Sequence, residues 1–393
     1  MPEHAGDAPG PSAVDAFGAR WRLDVHGLGA PLDARMRELW RRAAPPHLGG
    51  EAEDVRDFVI TRADDAVIID GSPYRVHDDA VPYAVSRALT VASIGRRSGA
   101  CLLLHAAGVA APDGTTLALV APSGTGKTTA ARTLGRSFGY VSDETVAIED
   151  DLTVRAYPKP LSVVVDPDSP HDKIESSPDE LGLVRAPDRL RLGGVVVLER
   201  DPAVDAPTLT EIGLVEAAVE VIPQTSAWLR MAEPATALAG ALCAGGGPWR
   251  LRYREIADCR ALLEGLVRPP AVPPRMDWTW EPGPCLGDGT EARQASAGGD
   301  VTGWSTAGRV RRASYRFALH SEGATLAVVG MVPLGLPGLA ATLWQAAAEP
   351  LGIKALTAAA VAVHGGHPRA AEVVDATVRS LLSSGAFELV TAG

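Results

Sequence analysis

The sequence predicts an α/β protein of two or three domains, built around a strand that leads into a glycine-rich loop and a helix. At 393 residues the chain is longer than one typical domain. An apolar run at 116–120 precedes a loop with two glycines, and residues 129–134 have a helical composition. A proline-rich stretch at 268–274, followed by Gly/Ala/Ser-rich sequence, indicates a linker before a C-terminal domain.

The N-terminal part predicts a short tail and a small α/β lobe. Residues 1–20 are expected to be a disordered tail, because residues 1–11 are polar, rich in Pro and Gly, and lack the apolar stretch of a signal peptide. Residues 21–98 are expected to form the lobe, and no residue in it suggests chemistry. Its predicted elements are strands at 57–62 and 66–70 and a helix at 82–96.

Residues 121–128 read Ala-Pro-Ser-Gly-Thr-Gly-Lys-Thr, a phosphate-binding loop. Such a loop aims backbone N–H groups and a helix N-terminus at one anion. Lys127 is expected to reach the β- and γ-phosphates of ATP, and Thr128 to hold Mg²⁺. Ala121 stands where the usual pattern has Gly, which makes the match less specific. The predicted nucleotide contacts are Ser123, Gly124, Thr125, Gly126, Lys127, Thr128 and Thr129.

The strand before the loop is predicted to form a hairpin with its neighbour. Residues 102–110 are expected to be one strand, and Asp113-Gly114 is a tight-turn signal leading into the strand that feeds the loop. An antiparallel hairpin is unusual here, because the loop strand of common NTPases lies in a parallel sheet. The pattern therefore favours a different class of phosphate-loop protein.

Candidate catalytic residues follow the loop. Residues 139–148 are predicted to be one strand that contains Asp143 and Glu144. Neighbours on a strand point to opposite faces, so only one carboxylate would face the phosphates. We favour Asp143 as the base or the group that orients the acceptor, and Glu144 as a metal ligand or its partner. The alternative is an acidic residue that supports Mg²⁺ only through water.

Two further residues have both a functional and a structural interpretation. His105 lies in the strand beside the loop strand and is either a catalytic residue or a structural histidine. Lys159 lies between two prolines, where it either contacts a phosphate or an acidic substrate, or is a solvated loop lysine.

The central region resembles the HPr serine kinase/phosphorylase superfamily over roughly residues 100–165, and more weakly to about 267. This resemblance implies a domain at 99–267 with the mixed-sheet phosphate-loop fold shared with phosphoenolpyruvate carboxykinases. It also implies transfer of phosphate from ATP to a serine hydroxyl with Mg²⁺, with Asp143 and Glu144 at positions where the family normally has two aspartates. The matching residues are Leu104-His105-Ala106-Ala107-Gly108-Val109, Gly124-Thr125-Gly126-Lys127-Thr128 and Val141-Ser142-Asp143-Glu144.

Residues 304–393, after a linker at 268–303, resemble a PqqD-like winged-helix domain. The matching segments are residues 324–329, 339–344 and 373–389. The resemblance implies capture of a leader peptide by strand addition at a sheet edge. The predicted elements are strands at 309–318, 324–331 and 386–390, and helices at 336–347, 354–363 and 369–383. Four arginines on the first strand, interpreted either as a docking edge for an acidic peptide or as a solvated edge, are Arg309, Arg311, Arg312 and Arg316.

The composition of the chain argues against some classes of binding partner and indicates a cellular compartment. A net charge of −11 argues against a general nucleic-acid binder. The four cysteines lack zinc spacing and suit a reducing cytoplasm. Residues 323–348 carry no charge, but Pro and Gly divide them, so no membrane span is expected.

The sequence therefore predicts a cytoplasmic ATP- and Mg²⁺-dependent kinase, a phosphotransferase. Its substrate would be a hydroxyl, with Ser favoured, in a small protein or a ribosomal precursor peptide, as in lasso-peptide gene clusters. The resemblance to HPr kinases is also compatible with a homo-oligomer. One alternative is a non-catalytic nucleotide-binding scaffold that presents a precursor peptide to another enzyme, and another is a hydrolytic NTPase.

Overall fold

The computed structural model describes residues 13–45, 54–164, 173–268, 277–284 and 303–390, which form two compact units. The first unit comprises Met1–Glu211, Gln224–Pro234 and Trp249–Pro273, and the second comprises Ile212–Pro223, Ala235–Pro248 and Pro274–Gly393. This division differs from the predicted one. The N-terminal lobe and the loop domain share one unit, and two segments of the predicted 99–267 domain belong to the other.

The strands are numbered along the chain. The first unit contains β1 (Ala13–Ala16), β2 (Ala19–His26), β3 (Val55–Arg62), β4 (Val67–Ile69), β5 (Ser72–Tyr74), β6 (Leu102–Leu104), β7 (Ala106–Ala110), β8 (Thr115–Val120), β9 (Gly139–Ser142), β10 (Val146–Ile148), β11 (Val154–Arg155), β12 (Leu161–Val164), β13 (Lys173–Ser176), β14 (Val184–Arg185), β15 (Arg191–Arg200), β16 (Thr208–Glu211), β17 (Thr225–Ser226) and β18 (Trp249–Tyr253). The second contains β19 (Trp278–Pro282), β20 (Arg309–Arg312), β21 (Phe317–Ser321), β22 (Ala324–Val329), β23 (Val332–Leu336), β24 (Leu351–Gly352) and β25 (Phe387–Val390).

The helices are numbered in the same way. They are α1 (Ala30–Trp40), α2 (Val81–Arg97), α3 (Lys127–Leu134), α4 (Leu214–Val221), α5 (Pro234–Leu242), α6 (Arg260–Leu266), α7 (Leu339–Ala346), α8 (Ile353–His364) and α9 (Ala370–Ser383). None of the helices in the described ranges is both long and apolar enough to cross a membrane.

The N-terminal lobe is a five-stranded sheet in the order β1-β2-β3-β4-β5, with α1 and α2 contributing to its core. The predicted tail is wrong over residues 13–20, because β1 pairs with β2 and buries Val14 and Ala16. This four-residue alternation is short and follows a Pro/Gly-rich stretch, which obscured it in the sequence. Residues 1–12 lie outside the described residues.

The loop strand belongs to a seven-stranded mixed sheet in the order β14-β9-β7-β8-β15-β18-β16. β7 and β8 form the predicted antiparallel hairpin, while β15 runs parallel to β8 on its other side. At the turn, Asp113 Oδ1 accepts the Thr115 N–H at 2.9 Å, and Gly114 has φ of 91°. A side chain at Gly114 would meet the Arg189 carbonyl at 2.1 Å, so only glycine fits.

Two predicted strands each divide between two sheets. The strand expected at 102–110 is β6 followed by β7, with His105 between them, and the one expected at 139–148 is β9 followed by β10. β6 and β10 pair in a second sheet, ordered β11-β10-β6-β17, while β7 and β9 lie in the seven-stranded sheet. The break at His105 is fixed by its backbone N–H, which donates to the Gln224 carbonyl at 2.7 Å.

Strands also occur in a polar, proline-containing stretch of the sequence and in the predicted linker. The polar stretch at 167–190 contains β13, which pairs with β12, and β14. The predicted linker at 268–303 contains β19, which pairs with β21 in the second unit. Most of the remaining linker lies outside the described residues.

The second unit combines two small sheets with helices. One sheet is antiparallel in the order β19-β21-β22-β23, and the other has the order β24-β20-β25. α7, α8 and α9 pack around a core that contains Trp344, which is fully buried. The predicted strand at 309–318 is divided, because β20 and β21 lie in different sheets. The winged-helix assignment stays a prediction.

The arginine strand is not a sheet edge, which corrects both of its predicted interpretations. β20 lies between β24 and β25. Arg311 pairs with Glu388 at 2.6 Å, and Arg312 pairs with Glu281 at 2.6 Å. The Arg312 guanidinium also lies 4.2 Å from the centre of the Trp344 ring. Arg312 is therefore held within its own unit, while Arg309 and Arg311 remain exposed to solvent.

Candidate functional site

The glycine-rich loop has the backbone shape that a phosphate cradle needs. It leaves β8 at Val120 and enters α3 at Lys127. Gly124 and Gly126 have φ of 82° and 99°, and a Cβ at either would meet nothing within 4 Å. Glycine is therefore required by the backbone angle and not by lack of space. The Thr125 hydroxyl donates to the Pro122 carbonyl at 2.6 Å, which closes the turn.

Ala121 fits the loop without strain. Its φ is not positive, and its side chain is buried. The departure from the usual glycine at this position therefore costs the loop nothing in geometry.

Lys127 lies over the loop. Its Nζ donates to the carbonyls of Ala121 and Pro122, at 2.6 and 3.1 Å. Burial lowers the pKa of Lys127, and Glu144 opposes that shift. A phosphate oxyanion in the loop would offer the ammonium a stronger acceptor than these two carbonyls.

Asp143 and Glu144 lie in a turn between β9 and β10. The Ser142 hydroxyl accepts the N–H groups of Glu144 and Thr145, at 3.2 and 3.1 Å, which turns the chain at this point. The strand alternation predicted for the pair is therefore wrong. Both carboxylates lie 3.3 Å from the same ammonium, that of Lys159.

Asp143 connects this turn to the loop helix. Its Oδ2 accepts the Thr128 hydroxyl at 3.2 Å, and its Oδ1 accepts the Tyr140 hydroxyl at 3.2 Å. The side chain is 4% exposed, whereas the Glu144 side chain is 35% exposed. Asp143 is thus fixed on several sides, while Glu144 faces solvent.

Lys159 is the buried cation of the site, so the predicted contact with substrate does not fit its position. Its side chain is 3% exposed, and its Nζ also donates to the Pro160 carbonyl at 2.9 Å. Burial alone would lower the pKa of Lys159, but the carboxylates of Asp143, Glu144 and Glu175 raise it well above its ordinary value. Lys159 is therefore a charged partner of the acidic turn.

His105 lies at the break between β6 and β7, and its ring reaches the acidic turn. Its Nδ1 lies 2.9 Å from the Glu144 carbonyl. A carbonyl can only accept, so Nδ1 carries the proton and Nε2 remains an acceptor in the neutral ring. Burial and the nearby Lys127 lower the pKa of His105, which favours this neutral form.

Two residues of this network were missed in the sequence. Tyr140 precedes Asp143 by three residues, and its hydroxyl oxygen lies 3.2 Å from Asp143 Oδ1 and 3.1 Å from the Lys159 carbonyl, so the two acceptors share its single hydrogen. Burial raises the pKa of Tyr140 well above its ordinary value, so it stays a donor. The carboxylates shortly after Tyr140 were a local signal for it, because a side chain close in sequence to a turn often forms a hydrogen bond with that turn.

Glu175, on β13, is the second missed residue and gave no signal. It is 4% exposed and accepts a short hydrogen bond from the Ser162 hydroxyl, while its Oε2 has no partner among the described residues. Burial raises the pKa of Glu175 to about 7, and Lys159 opposes that shift. It lies in the polar, proline-containing stretch at 167–190, a composition typical of surface loops.

The residues fit a magnesium nucleotide better than a protein-bound metal. Within the described ranges, no three His, Cys, Asp or Glu side chains group to hold a metal ion. Mg²⁺ in phosphoryl-transfer sites is held by substrate phosphates, waters and one or two carboxylates. Thr128 beside Asp143, with Glu144 facing solvent, is such a donor set. Cys101 and Cys259 are buried free thiols, and Cys285 lies outside the described residues.

Comparisons with known proteins add little to this geometry. No protein-family model matches the chain, and no curated protein matches it. Among solved structures, the chain is similar to the HPr(Ser) kinase/phosphatase from Coxiella burnetii at 13% identity, over 42% of this chain and 93% of that chain, with a TM-score of 0.24. A likeness at this level carries no argument about activity. The chain has a mixed α/β fold.

Proposed function

We propose that the protein is an ATP- and Mg²⁺-dependent kinase that transfers the γ-phosphoryl group to a hydroxyl. The observation that supports it most is the hydrogen bond from Thr128 to Asp143. It joins the residue that holds Mg²⁺ in phosphate loops to a buried carboxylate, which is in turn paired with Lys159. A loop that only stored nucleotide would not need this buried acidic turn beside it.

The loop would bind the nucleotide. Its backbone N–H groups from Ser123 to Thr129 and the Lys127 ammonium would hold the phosphates. Thr128 and Glu144 would hold Mg²⁺. A bound Mg²⁺ would neutralise the negative charge that builds up on the phosphate oxygens. Lys127 would exchange its two carbonyl acceptors for phosphate oxygens, which stabilises negative charge during transfer.

Asp143 would orient the acceptor hydroxyl or take its proton. Its Oδ2 already accepts a hydroxyl hydrogen from Thr128, so this oxygen lies at the loop. Lys159 and Tyr140 fix the carboxylate, which lowers the cost of positioning it for reaction. His105 would support the turn through the Glu144 carbonyl and leave Nε2 as a second acceptor.

The acceptor we propose is a serine of a small protein or precursor peptide captured by the C-terminal part of the chain. Tethering a recognition domain to a kinase raises the effective concentration of substrate. The resemblance of residues 304–393 to PqqD-like domains supports this proposal. The location we propose for the protein is the cytoplasm. A homo-oligomer is also compatible with it.

The test measures transfer from labelled ATP to a serine-containing candidate peptide by purified full-length protein. We expect Lys127→Ala to abolish nucleotide binding and transfer. Asp143→Asn should retain nucleotide binding and lower transfer about 100- to 10,000-fold, the usual contribution of a positioned acid or base. Asp205→Asn, an exposed aspartate outside the site, is the matched control.

The same variants separate the alternatives. If Asp143→Asn leaves peptide modification intact while Lys127→Ala abolishes it, the nucleotide is a switch and the protein is a scaffold. If ATP turns over without any acceptor and no peptide is labelled, the protein is a hydrolytic NTPase.

A further inference from the structure

A cleft of about 770 Å³ lies in the first unit, at the end of β8 that is far from the phosphate loop. Its wall includes Gly114 and Thr115, where β8 begins, whereas the loop starts after Val120. A six-residue strand rises about 3.3 Å per residue, so the two ends are roughly 15–20 Å apart. The cleft is therefore separate from the phosphate loop itself, while Tyr140, whose hydroxyl contacts Asp143, also lines it.

Arginine dominates the charge of this cleft. Three aspartates, Asp15, Asp113 and Asp188, also line it, which leaves an excess of three positive charges in a chain of net charge −11. Two of these aspartates already bind backbone N–H groups, since Asp15 accepts from Gly18 and Asp113 from Thr115. The arginines that line the cleft are Arg20, Arg42, Arg155, Arg185, Arg189 and Arg191.

Several of these guanidinium groups have N–H donors that bind no acceptor among the described residues. The exposed side chains of Arg185 and Arg189 make no hydrogen bond or ion pair with the described residues. Arg191 makes one hydrogen bond, from Nη1 to the Asp151 carbonyl at 3.1 Å. Arg155 binds Glu149 through Nε alone, at 3.2 Å. Their remaining N–H donors are therefore open to solvent or to a ligand.

Arg42 is held differently and anchors one wall. It pairs with Asp179 and donates to the Leu183 carbonyl at 2.7 Å, and its side chain is 10% exposed. Its buried Nη1 has no hydrogen-bond partner among the described residues. A guanidinium that is both buried and incompletely paired is costly in a site that binds nothing.

We propose that this cleft binds a small anion that carries two or more carboxylate or phosphate groups. Arginine offers a planar pair of donors that matches both groups. The volume lies within the range of small-molecule sites, and the walls come from separate chain segments, which suits a compact ligand. The proposal concerns a site outside the phosphate loop and does not depend on the kinase activity.

The experiment is isothermal titration calorimetry of the full chain with two probes, citrate and pyrophosphate, without Mg²⁺. Both measurements use the Lys127→Ala protein, which removes the ammonium of the phosphate loop. Adding Arg185→Ala and Arg189→Ala together should weaken binding at least tenfold, because each arginine supplies charge-assisted hydrogen bonds. The two probes distinguish a preference for carboxylate from one for phosphate.

The matched control is Arg136→Ala in the same background, since Arg136 is exposed and does not line the cleft. Its affinity for the probes should stay within twofold of the parent. Three results would overturn the proposal: neither probe binds saturably, the double arginine variant binds as the parent does, or Arg136→Ala loses as much affinity.

Discussion

The phosphate loop and the acidic turn are neighbours, yet they are built in opposite ways. Residues 122–125 of the loop are exposed and are held by hydrogen bonds of the loop itself. Asp143 in the turn is buried and is held by groups from distant parts of the chain, such as Lys159. One hydrogen bond, from Thr128 to Asp143, joins the two regions.

The two regions differ in the groups that their lysine side chains contact. Lys127 donates to two backbone carbonyls, which a phosphate can displace, whereas Lys159 neutralises two carboxylates in a buried setting. Changes in the loop should therefore act mainly on ligand binding. Changes in the turn should act on the stability of the fold as well as on catalysis.

The largest effect should come from Lys159→Met. It leaves two neighbouring carboxylates without their buried cation, and breaking a buried pair in this way costs about 3–5 kcal/mol. We expect urea unfolding of the full chain at pH 7 to show this loss, and Lys173→Met, an exposed lysine on β13, to change stability by less than about 0.5 kcal/mol. Adding Asp143→Asn to Lys159→Met should recover part of the loss. If Lys159→Met were as stable as the wild-type protein, Lys159 would not be the buried partner of the acidic turn.

A smaller, pH-dependent effect is expected for Glu175→Gln. The pKa of Glu175 is raised from 4.5 to about 7, so the folded state holds its proton more tightly than the unfolded state. The native protein should therefore lose stability as the pH rises from about 4.5 to 7. Glutamine removes this penalty, so the variant should gain nothing at pH 4 and up to about 3 kcal/mol at pH 8.

Thermal unfolding across this pH range measures the effect. Glu211→Gln, on the exposed strand β16, is the control and should follow the native curve. A constant difference between Glu175→Gln and the native protein at all pH values would show that Glu175 does not titrate in this range.

The smallest effect on stability is expected in the loop, from a matched pair of substitutions. Gly126→Ala forces a side chain into a left-handed conformation, which costs about 1–2 kcal/mol, and it should weaken nucleotide binding at least tenfold by tilting the N–H groups. Ala121→Gly should leave nucleotide affinity within twofold, because Ala121 needs no positive φ. Titration with a fluorescent adenine nucleotide compares them. Equal losses in the two variants would mean that backbone angle does not shape the loop.

The loop could be predicted almost completely from the sequence because its information is local. Gly124 and Gly126 set the backbone, and Lys127 and Thr128 follow directly. The turn was predicted in the right place but in the wrong conformation. An apolar run on both sides of Asp143 suggests one strand, and the capping role of Ser142 becomes visible only once the chain bends.

The rest of the site could not be predicted, because it depends on contacts between distant segments. Lys159 pairs with the turn, and Glu175 acts on Lys159 through its charge, only when the segments around β12 and β13 are in place. The same limit applies to the fold. The residues of β6 and β7 are all apolar, and nothing in such a run tells which sheet each half joins.

The β7–β8 hairpin also bears on the order of assembly. The strand that carries the loop has its antiparallel partner within the same 106–120 segment, while its parallel partner, β15, begins at Arg191. Closing a short segment loses little chain entropy and is fast, whereas the parallel pairing must wait for a distant strand. We expect the amides of β7 and β8 to gain protection from hydrogen exchange before those of β15 during refolding, so the nucleotide cradle would have a preformed side before its sheet is complete.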